Sequence, residues 1–300
     1  YNATIDSGLF KKQLSPAVFM YRVHAPLIAQ ERKAGQFIIF QTDTDSGERV
    51  PLTIADADTN EGSITIIFQT VGKSTTELSK FEVGDDIPVL VGPLGSPTHI
   101  ENYGHVVCVC GGVGIAPMHP IAQALKAAGN KLTIIMGARN ESLFLMKEEM
   151  TALADNIIFM TDDGSYGRKG LVTEPLKELC EDTKGKPDMV LAIGPPIMMK
   201  FCSLTTQPYG VKTVVSLNSI MVDGTGMCGG CRVTIGGKTK FVCVDGPEFD
   251  GHEVDWNNML QRMSSFKPQE QDAMHRFGSN EGGHKCNIDR MADKKAAESK

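Results

Sequence analysis

The chain has 300 residues, of which 41% are hydrophobic and 22% charged, with a formal net charge of -6. This length and apolar content suffice for two or three hydrophobic cores. The charge forms no basic stripe and no acidic tail, so neither nucleic acid nor a solvating segment is expected.

No hydrophobic run reaches bilayer length: 105–110 and 189–193 are strand-sized, so no membrane span is expected. Tyr1 to Asp6 lack the basic and apolar regions of a signal peptide, which points to a cytoplasmic protein. Without an initial methionine, organelle targeting stays open.

In chain order, residues 1–102 read as short strands. Runs at 17–23, 36–40, 63–68 and 87–91 are rich in β-branched and aromatic residues. Turn-forming clusters at 43–47 and 56–62 separate them, and even spacing of short strands predicts a small antiparallel barrel. Arg49, Pro51, Leu52 and Thr53 place a cation and a hydroxyl near one strand end, or form an edge strand before a turn. Gly72-Lys73-Ser74-Thr75 follows a strand and opens a helix expected over 76–81. Ile67 stands where a P-loop needs its first glycine, which excludes a nucleoside triphosphatase, yet amides at a helix start still suit a diphosphate.

Across 103–217, strands at 106–110, 132–136, 157–160, 189–193 and 212–217 alternate with helices at 117–128, 143–153, 171–179 and 197–204. This pattern predicts a parallel sheet with crossover helices. After the first of these strands, Gly111, Gly112 and Gly114 bring the backbone close to a bound pyrophosphate, and Ala116-Pro117 begin the helix. The third glycine of the usual dinucleotide fingerprint is missing. Asp162 and Asp163 end the third strand, where a carboxylate accepts from ribose hydroxyls and repels a 2′-phosphate; the bland alternative is a plain turn. Gly194, Pro195 and Met198 follow the fourth strand in a turn open enough for a nicotinamide ring.

Eight cysteines are too unevenly placed for a disulfide scaffold. Three of them crowd into 228–243, in the segment 218–254. Asp223, Cys228, Cys231 and Cys243 fall on the C-x4-C-x2-C spacing with a distant fourth ligand that binds a 2Fe-2S cluster in plant-type ferredoxins, with Asp at the first position. A single structural zinc ion and a group of free thiols are the alternatives. Between Cys231 and Cys243 the chain reads as a hairpin turning at Gly236-Gly237. Residues 255–300 read as a helical tail, frayed after Phe277. Its apolar face of Trp256, Met259, Leu260, Met263 and Phe266 packs on its own domain or on a partner, and Pro268 is placed to open a second helix.

Taken in order, Arg-x-Pro-x-Thr, Gly-Lys-Ser-Thr, Gly92-Pro93-Leu94-Gly95, Gly-Gly-Val-Gly-Ile-Ala-Pro and Gly-Pro-Pro-x-Met resemble the ferredoxin-NADP reductase superfamily over about residues 10–215. The appended cluster segment resembles the electron-transfer subunits of dihydroorotate dehydrogenase B. With Asp223 and the long tail, it resembles more closely the small subunits of NADH-dependent ferredoxin:NADP oxidoreductases.

The resemblance implies FAD on Arg49, Pro51, Leu52, Thr53 and Gly72 to Thr75, and NAD(H) on the 111–117 and 194–198 turns. It implies electron transfer between NAD(H), FAD and the 2Fe-2S cluster beside a large flavoprotein subunit carrying 4Fe-4S clusters. Electrons from NADPH are then bifurcated, with ferredoxin as the low-potential acceptor. Ile193 departs from relatives that carry Cys beside the nicotinamide. A stand-alone NADH reductase, a dihydroorotate dehydrogenase partner and a redox-sensing subunit remain as alternatives. His119, just inside a helix start, is expected to be packed or solvated rather than catalytic.

Overall fold

The computed structural model describes residues 3–5, 11–45 and 47–280. The N-terminal part contains β1 (Ala3–Ile5), β2 (Lys11–Ser15), β3 (Val18–His24), α1 (Pro26–Glu31), β4 (Phe37–Gln41), β5 (Val50–Asp58), β6 (Ser63–Gln69), α2 (Lys73–Leu78), β7 (Asp86–Ile87) and β8 (Val89–Leu94). The sheet order is β7-β1-β3-β6-β5-β4-β8, with β2 added to β3. Its two end strands flank Pro88, so the antiparallel sheet curls almost closed. Tyr21, Phe40, Ile54, Ile66, Phe68 and Leu78 fill the interior, and the Tyr21 hydroxyl donates to the Leu78 carbonyl at 2.8 Å, tying α2 to the barrel.

Three sequence expectations shift here. Residues 87–91 are not one strand, because Pro88 carries no N–H for the ladder and the strands part around it. The segment after Arg49 is not an edge strand, since β5 lies between β6 and β4. Nor does a turn begin at Asp56: β5 continues to Asp58 after a register shift between Ile54 and Asp56.

The second sheet contains β9 (His105–Gly111), β10 (Lys131–Ala138), β11 (Asn156–Thr161), β12 (Arg168–Lys169), β13 (Met189–Ile193) and β14 (Lys212–Ser216). It carries α3 (Ile115–Ala127), α4 (Lys147–Leu153), α5 (Thr173–Glu181) and α6 (Pro196–Thr206). Consecutive residues of β9 are buried because helices cover both faces. Val106, Cys108 and Cys110 pack toward α3, while Val107 and Val109 pack toward α5 and α6. The helix expected from Leu143 starts at Lys147, because Met146 turns left-handed with φ 50°.

The C-terminal part adds the hairpin β15 (Arg232–Ile235) and β16 (Lys238–Phe241), then α7 (Val242–Asp245), β17 (Glu248–Asp250), α8 (Trp256–Met263) and α9 (Lys267–Asn280). The three-residue strand β17 was not legible in the sequence. It pairs antiparallel with β14 and so extends the nucleotide-type sheet to the order β12-β11-β10-β9-β13-β14-β17. Its Glu248 accepts from Thr98 Oγ1 at 2.5 Å, so three parts of the chain meet at this carboxylate.

Asp255 caps α8 by accepting from the Asn258 N–H. Trp256 and Met259 enter the core beside Val233, whereas Phe266 is 53% exposed, so the apolar face of the tail divides. Helix α9 continues through Phe277 to Asn280 and packs against α2. The expected frayed end at 281–300 lies outside the described residues.

Candidate functional site

Strands β9 and β13 are neighbours, with Cys110 beside Ile193. The chain leaves them toward opposite faces, through α3 and through α6. At such a switch point a crevice opens beyond the strand ends. It holds a cavity of about 550 Å³ bordered by Gly111, Gly112, Pro195 and Met198, by Arg139 and Asp162 after β10 and β11, and by Val18 and Gln69 of the barrel.

Backbone proximity shapes this crevice. A Cβ on Gly111 would lie 2.6 Å from Met198 Sδ, and one on Gly194 would lie 2.7 Å from Met198 Cε. A Cβ on Gly114 would run into the Ile193 carbonyl. Gly112 instead faces open space at φ +57°, a conformation that suits glycine and leaves room for a ligand at the backbone. Ala116 is buried in the core, and neither it nor Pro117 borders the cavity.

The two aspartates expected to meet a ribose have separate duties. Asp163 Oδ1 accepts from the Ser165 N–H at 2.9 Å, closing the turn. Hydrogen bonds from Ser165 hold its carboxyl below the usual carboxylate range. Asp162 borders the cavity. Arg139, which sequence reasoning missed, stands beside it because β10 and β11 run in parallel register. Residues at the C-terminal ends of successive strands were the signal available to find it.

The barrel residues expected to hold FAD are brought together. Ser74 Oγ donates to Glu48 Oε2 at 2.7 Å, which sets the start of α2 beside Arg49, the residue before β5. Arg49 Nε is buried without a hydrogen-bond partner, an orphaned cationic donor that fits an anionic ligand. Pro51 and Thr53 pair across β4 with Ile39 and Phe37. Thr75 Oγ1 accepts from the Val71 and Gly72 N–H groups at 3.2 Å each, so these two amides are engaged by the loop itself. A diphosphate expected here would have to meet the amides of the first turn of α2 instead. A cavity of about 390 Å³ lies between Lys73 and Gln269, Asp272, Ala273, Arg276 and Phe277 of α9. This return of the tail to the barrel had no sequence signal.

In the cluster segment the candidate ligands form two pairs. Cys231 Sγ lies 3.2 Å from Cys243 Sγ, brought there by the expected hairpin at Gly236-Gly237. Asp223 Oδ2 accepts from the Cys228 N–H at 2.8 Å, and Oδ1 accepts from the Thr225 N–H at 2.9 Å. These backbone donors, Thr225 first, hold its carboxyl below the usual range. Among the described residues no three His, Cys, Asp or Glu side chains close round a single point. Two separate pairs are what a two-iron cluster requires, in contrast to one tetrahedral zinc. Burial, then the neighbouring Cys231, pushes the Cys243 thiol up to about 12, so ligation there releases a proton.

The loop glycine Gly224 lies against the barrel: a Cβ there would be 2.6 Å from Ile39 Cδ1 and 2.7 Å from Leu94 Cδ1. Cys108 and Cys202 are buried thiols pushed up to about 12 by desolvation, as expected of core packing.

Two regions of the chain match known family models. Residues 218–255 match the iron-sulfur cluster binding domain of dihydroorotate dehydrogenase B, and residues 108–203 match the oxidoreductase NAD-binding domain. The chain is 48% identical over 267 residues to the dihydroorotate dehydrogenase B (NAD(+)) electron transfer subunit homolog of Thermotoga maritima, across 89% of this chain and 93% of that protein. The chain belongs to this family of electron-transfer subunits.

The dihydroorotate dehydrogenase B electron transfer subunit of Clostridium perfringens is another relative, 32% identical across 78% of this chain and 92% of that protein. Among solved structures, this electron-transfer subunit matches a chain of an NADH-dependent reduced ferredoxin-NADP oxidoreductase studied for flavin-based electron bifurcation. The TM-score is 0.84 at 46% identity, covering 90% of this chain and 96% of that one. The cytochrome b5 reductase domain of Ulva prolifera nitrate reductase shares the fold, with a TM-score of 0.56 at 19% identity over 71% of this chain and 95% of that one. The electron-transfer subunit is thus an oxidoreductase component with NAD-binding and iron-sulfur domains. No described helix is long and apolar enough to cross a membrane.

Proposed function

We propose that this subunit relays electrons between NAD(H), FAD and a 2Fe-2S cluster inside a flavin-based bifurcating NADH/NADPH:ferredoxin oxidoreductase. One observation carries the relay. The cluster loop rests on Ile39 of β4 through Gly224, and Ile39 pairs with Pro51 of the strand proposed to line the flavin. On this reading the two redox sites are separated by one strand pair.

Bound flavin supplies the conversion between a two-electron hydride and single electrons. The residues of the chain position the groups. The turn Gly111 to Val113 receives the NAD pyrophosphate, Asp162 accepts from the adenosine ribose, and the Gly194–Met198 turn supports the nicotinamide. Arg49, Pro51, Leu52 and Thr53 line the flavin and its ribityl chain. Lys73 and the first turn of α2 meet the FAD diphosphate, and the cavity under α9 accommodates the adenosine half. Asp223 with Cys228, and Cys231 with Cys243, hold one iron each.

Likeness to the ferredoxin-NADP oxidoreductase chain supports ferredoxin as an acceptor of the complex, and the large flavoprotein partner with 4Fe-4S clusters rests on the sequence resemblance. The exposed apolar residues Val222, Met227 and Val244 around Cys228 give that partner a contact surface at the cluster. A cytoplasmic location fits the seven described cysteines, all free. A second reading, partnership with a dihydroorotate dehydrogenase, is favoured by the relatives' names.

Purification of the native complex, with partner identification by mass spectrometry and assay of flavin, iron and sulfide, tests the reading. Anaerobic NADH is expected to bleach the flavin and then produce a reduced 2Fe-2S electron paramagnetic resonance (EPR) signal. A dihydroorotate dehydrogenase partner selects the second reading. Zinc in place of iron and sulfide removes both.

A further inference from the structure

Between Cys228 and Cys231 the chain contributes only Gly229 and Gly230, and the carbonyl of each is held by an arginine. Arg232 Nη1 donates to the Gly229 carbonyl at 3.1 Å, beside the Arg232 backbone N–H at 3.3 Å. Arg262 Nη2, from α8 and 32 residues away in sequence, donates to the Gly230 carbonyl at 3.1 Å. In a trans peptide the C=O and the following N–H point in opposite directions. Fixing the Gly229 carbonyl outward therefore directs the Gly230 N–H inward, and that N–H lies 3.4 Å from Cys228 Sγ as its donor. Fixing the Gly230 carbonyl likewise fixes the direction of the Cys231 N–H in the same peptide. Gly229 turns left-handed, φ +67°, a conformation that suits glycine at this tight turn between the two cysteines.

Arg262 is itself held, whereas Arg232 is exposed. Both border a cavity of about 360 Å³ whose walls include Val222, Met259, Met263 and Phe266. Apolar walls leave the half-buried Arg262 charge less screened on that side than it would be in bulk water. Met259 of the same helix is buried in the core, so α8 is a fixed platform for Arg262.

We propose that Arg232 and Arg262 are positioning residues for the 2Fe-2S cluster: they clamp the two peptides spanning Cys228 to Cys231 so that the amides donate to the cluster side, and their charge favours its reduced state. The inference rests on the cluster-binding reading above. Hydrogen bonds to cluster sulfurs and nearby positive charge both raise a reduction potential, because reduction adds negative charge at the site. The apolar face of the tail thus has a role within this subunit: it seats an arginine over the cluster loop.

The test is an EPR-monitored redox titration of the full chain, with iron and sulfide measured first. A parent chain without iron and sulfide removes the cluster reading itself and leaves nothing for the arginines to position. With a loaded parent, Arg262→Ala and Arg232→Ala are each expected to make cluster reduction about tenfold less favourable, a midpoint about 59 mV lower. Altered g-values should accompany the shift. Arg262→Lys, which keeps the charge and one donor, is expected to stay within about 20 mV of the parent, close to a twofold change.

Loaded Arg262→Ala and Arg232→Ala with the parent's midpoint and g-values would overturn the proposal. Should Arg262→Ala fail to take up iron, Arg262→Lys decides. Restored iron at the parental potential supports the clamp, and failure of Arg262→Lys as well overturns it.

Discussion

The nucleotide crevice and the cluster loop are built on opposite terms. At the crevice, Gly114 and Gly194 are present because neighbouring groups fill the space a side chain would need, and two sheet faces lock the strands behind them. At the cluster loop, Gly229 has only the Phe241 ring edge at 3.7 Å, and glycine serves for its backbone angle. One site is shaped by packing and exists before its ligand. The other is a spacing of donors whose geometry the bound group completes. At Gly114 packing tolerates no added atom, whereas at Gly229 the loop has room for one and depends on its ligands.

The largest effect expected from this contrast is Cys243→Ala. Iron and sulfide content should fall to near zero while NADH still reduces the flavin, because the crevice does not use the loop. Loss of both together in a folded variant would erase the distinction. Next, Gly114→Ala drives a methyl group into the Ile193 carbonyl and should destabilise the chain by about 3 kcal/mol. Gly229→Ala should cost about 1–2 kcal/mol for its left-handed backbone. Denaturation midpoints of the two variants measure the gap, and equal shifts would show that packing is not what separates the sites.

Within the crevice, Asp162→Ala should raise the KM for NADH about 10- to 100-fold, the worth of a hydrogen bond to a charged group. Asp163→Ala should change it less than about threefold, since that carboxylate serves its own turn. Steady-state kinetics with NADH and NADPH resolve the pair, and the reverse ranking would exchange their roles.

The last effect concerns the seam joining the regions. Burial pushes Glu248 from 4.5 up to about 7, partly opposed by the Thr98 hydroxyl. The folded chain therefore holds a proton that the unfolded chain gives up, and stability present below pH 4.5 is lost as pH rises toward 7. Glu248→Gln should gain on the parent by an amount that grows between pH 5 and 8. A pH-independent difference in denaturation midpoint would mean that this carboxyl does not titrate with folding.

Much of this protein can be read from neighbouring residues, because some chemistry is local. The offsets of Asp223, Cys228, Cys231 and Cys243 state a ligand set, and alternating strands and helices after Tyr103 state a parallel sheet. The turns after β9 and β13 mark its crevice, since a glycine turn between strand and helix has few other uses. What remained hidden depends on contacts between distant segments. Strand β17 is three residues that become a strand only because β14 offers an unpaired edge. The return of α9 to α2 follows no pattern in its own sequence.

The separation of Asp162 from Asp163 required the turn closed by Ser165. The clamp of Arg262 on Gly230 spans 32 residues and is visible only once α8 has packed. Sequence by itself determined which donors and turns the chain carries, because spacing along a backbone is covalent. Tertiary structure decided which of them face one another, because burial and hydrogen bonding between distant segments are settled only when the whole chain has folded.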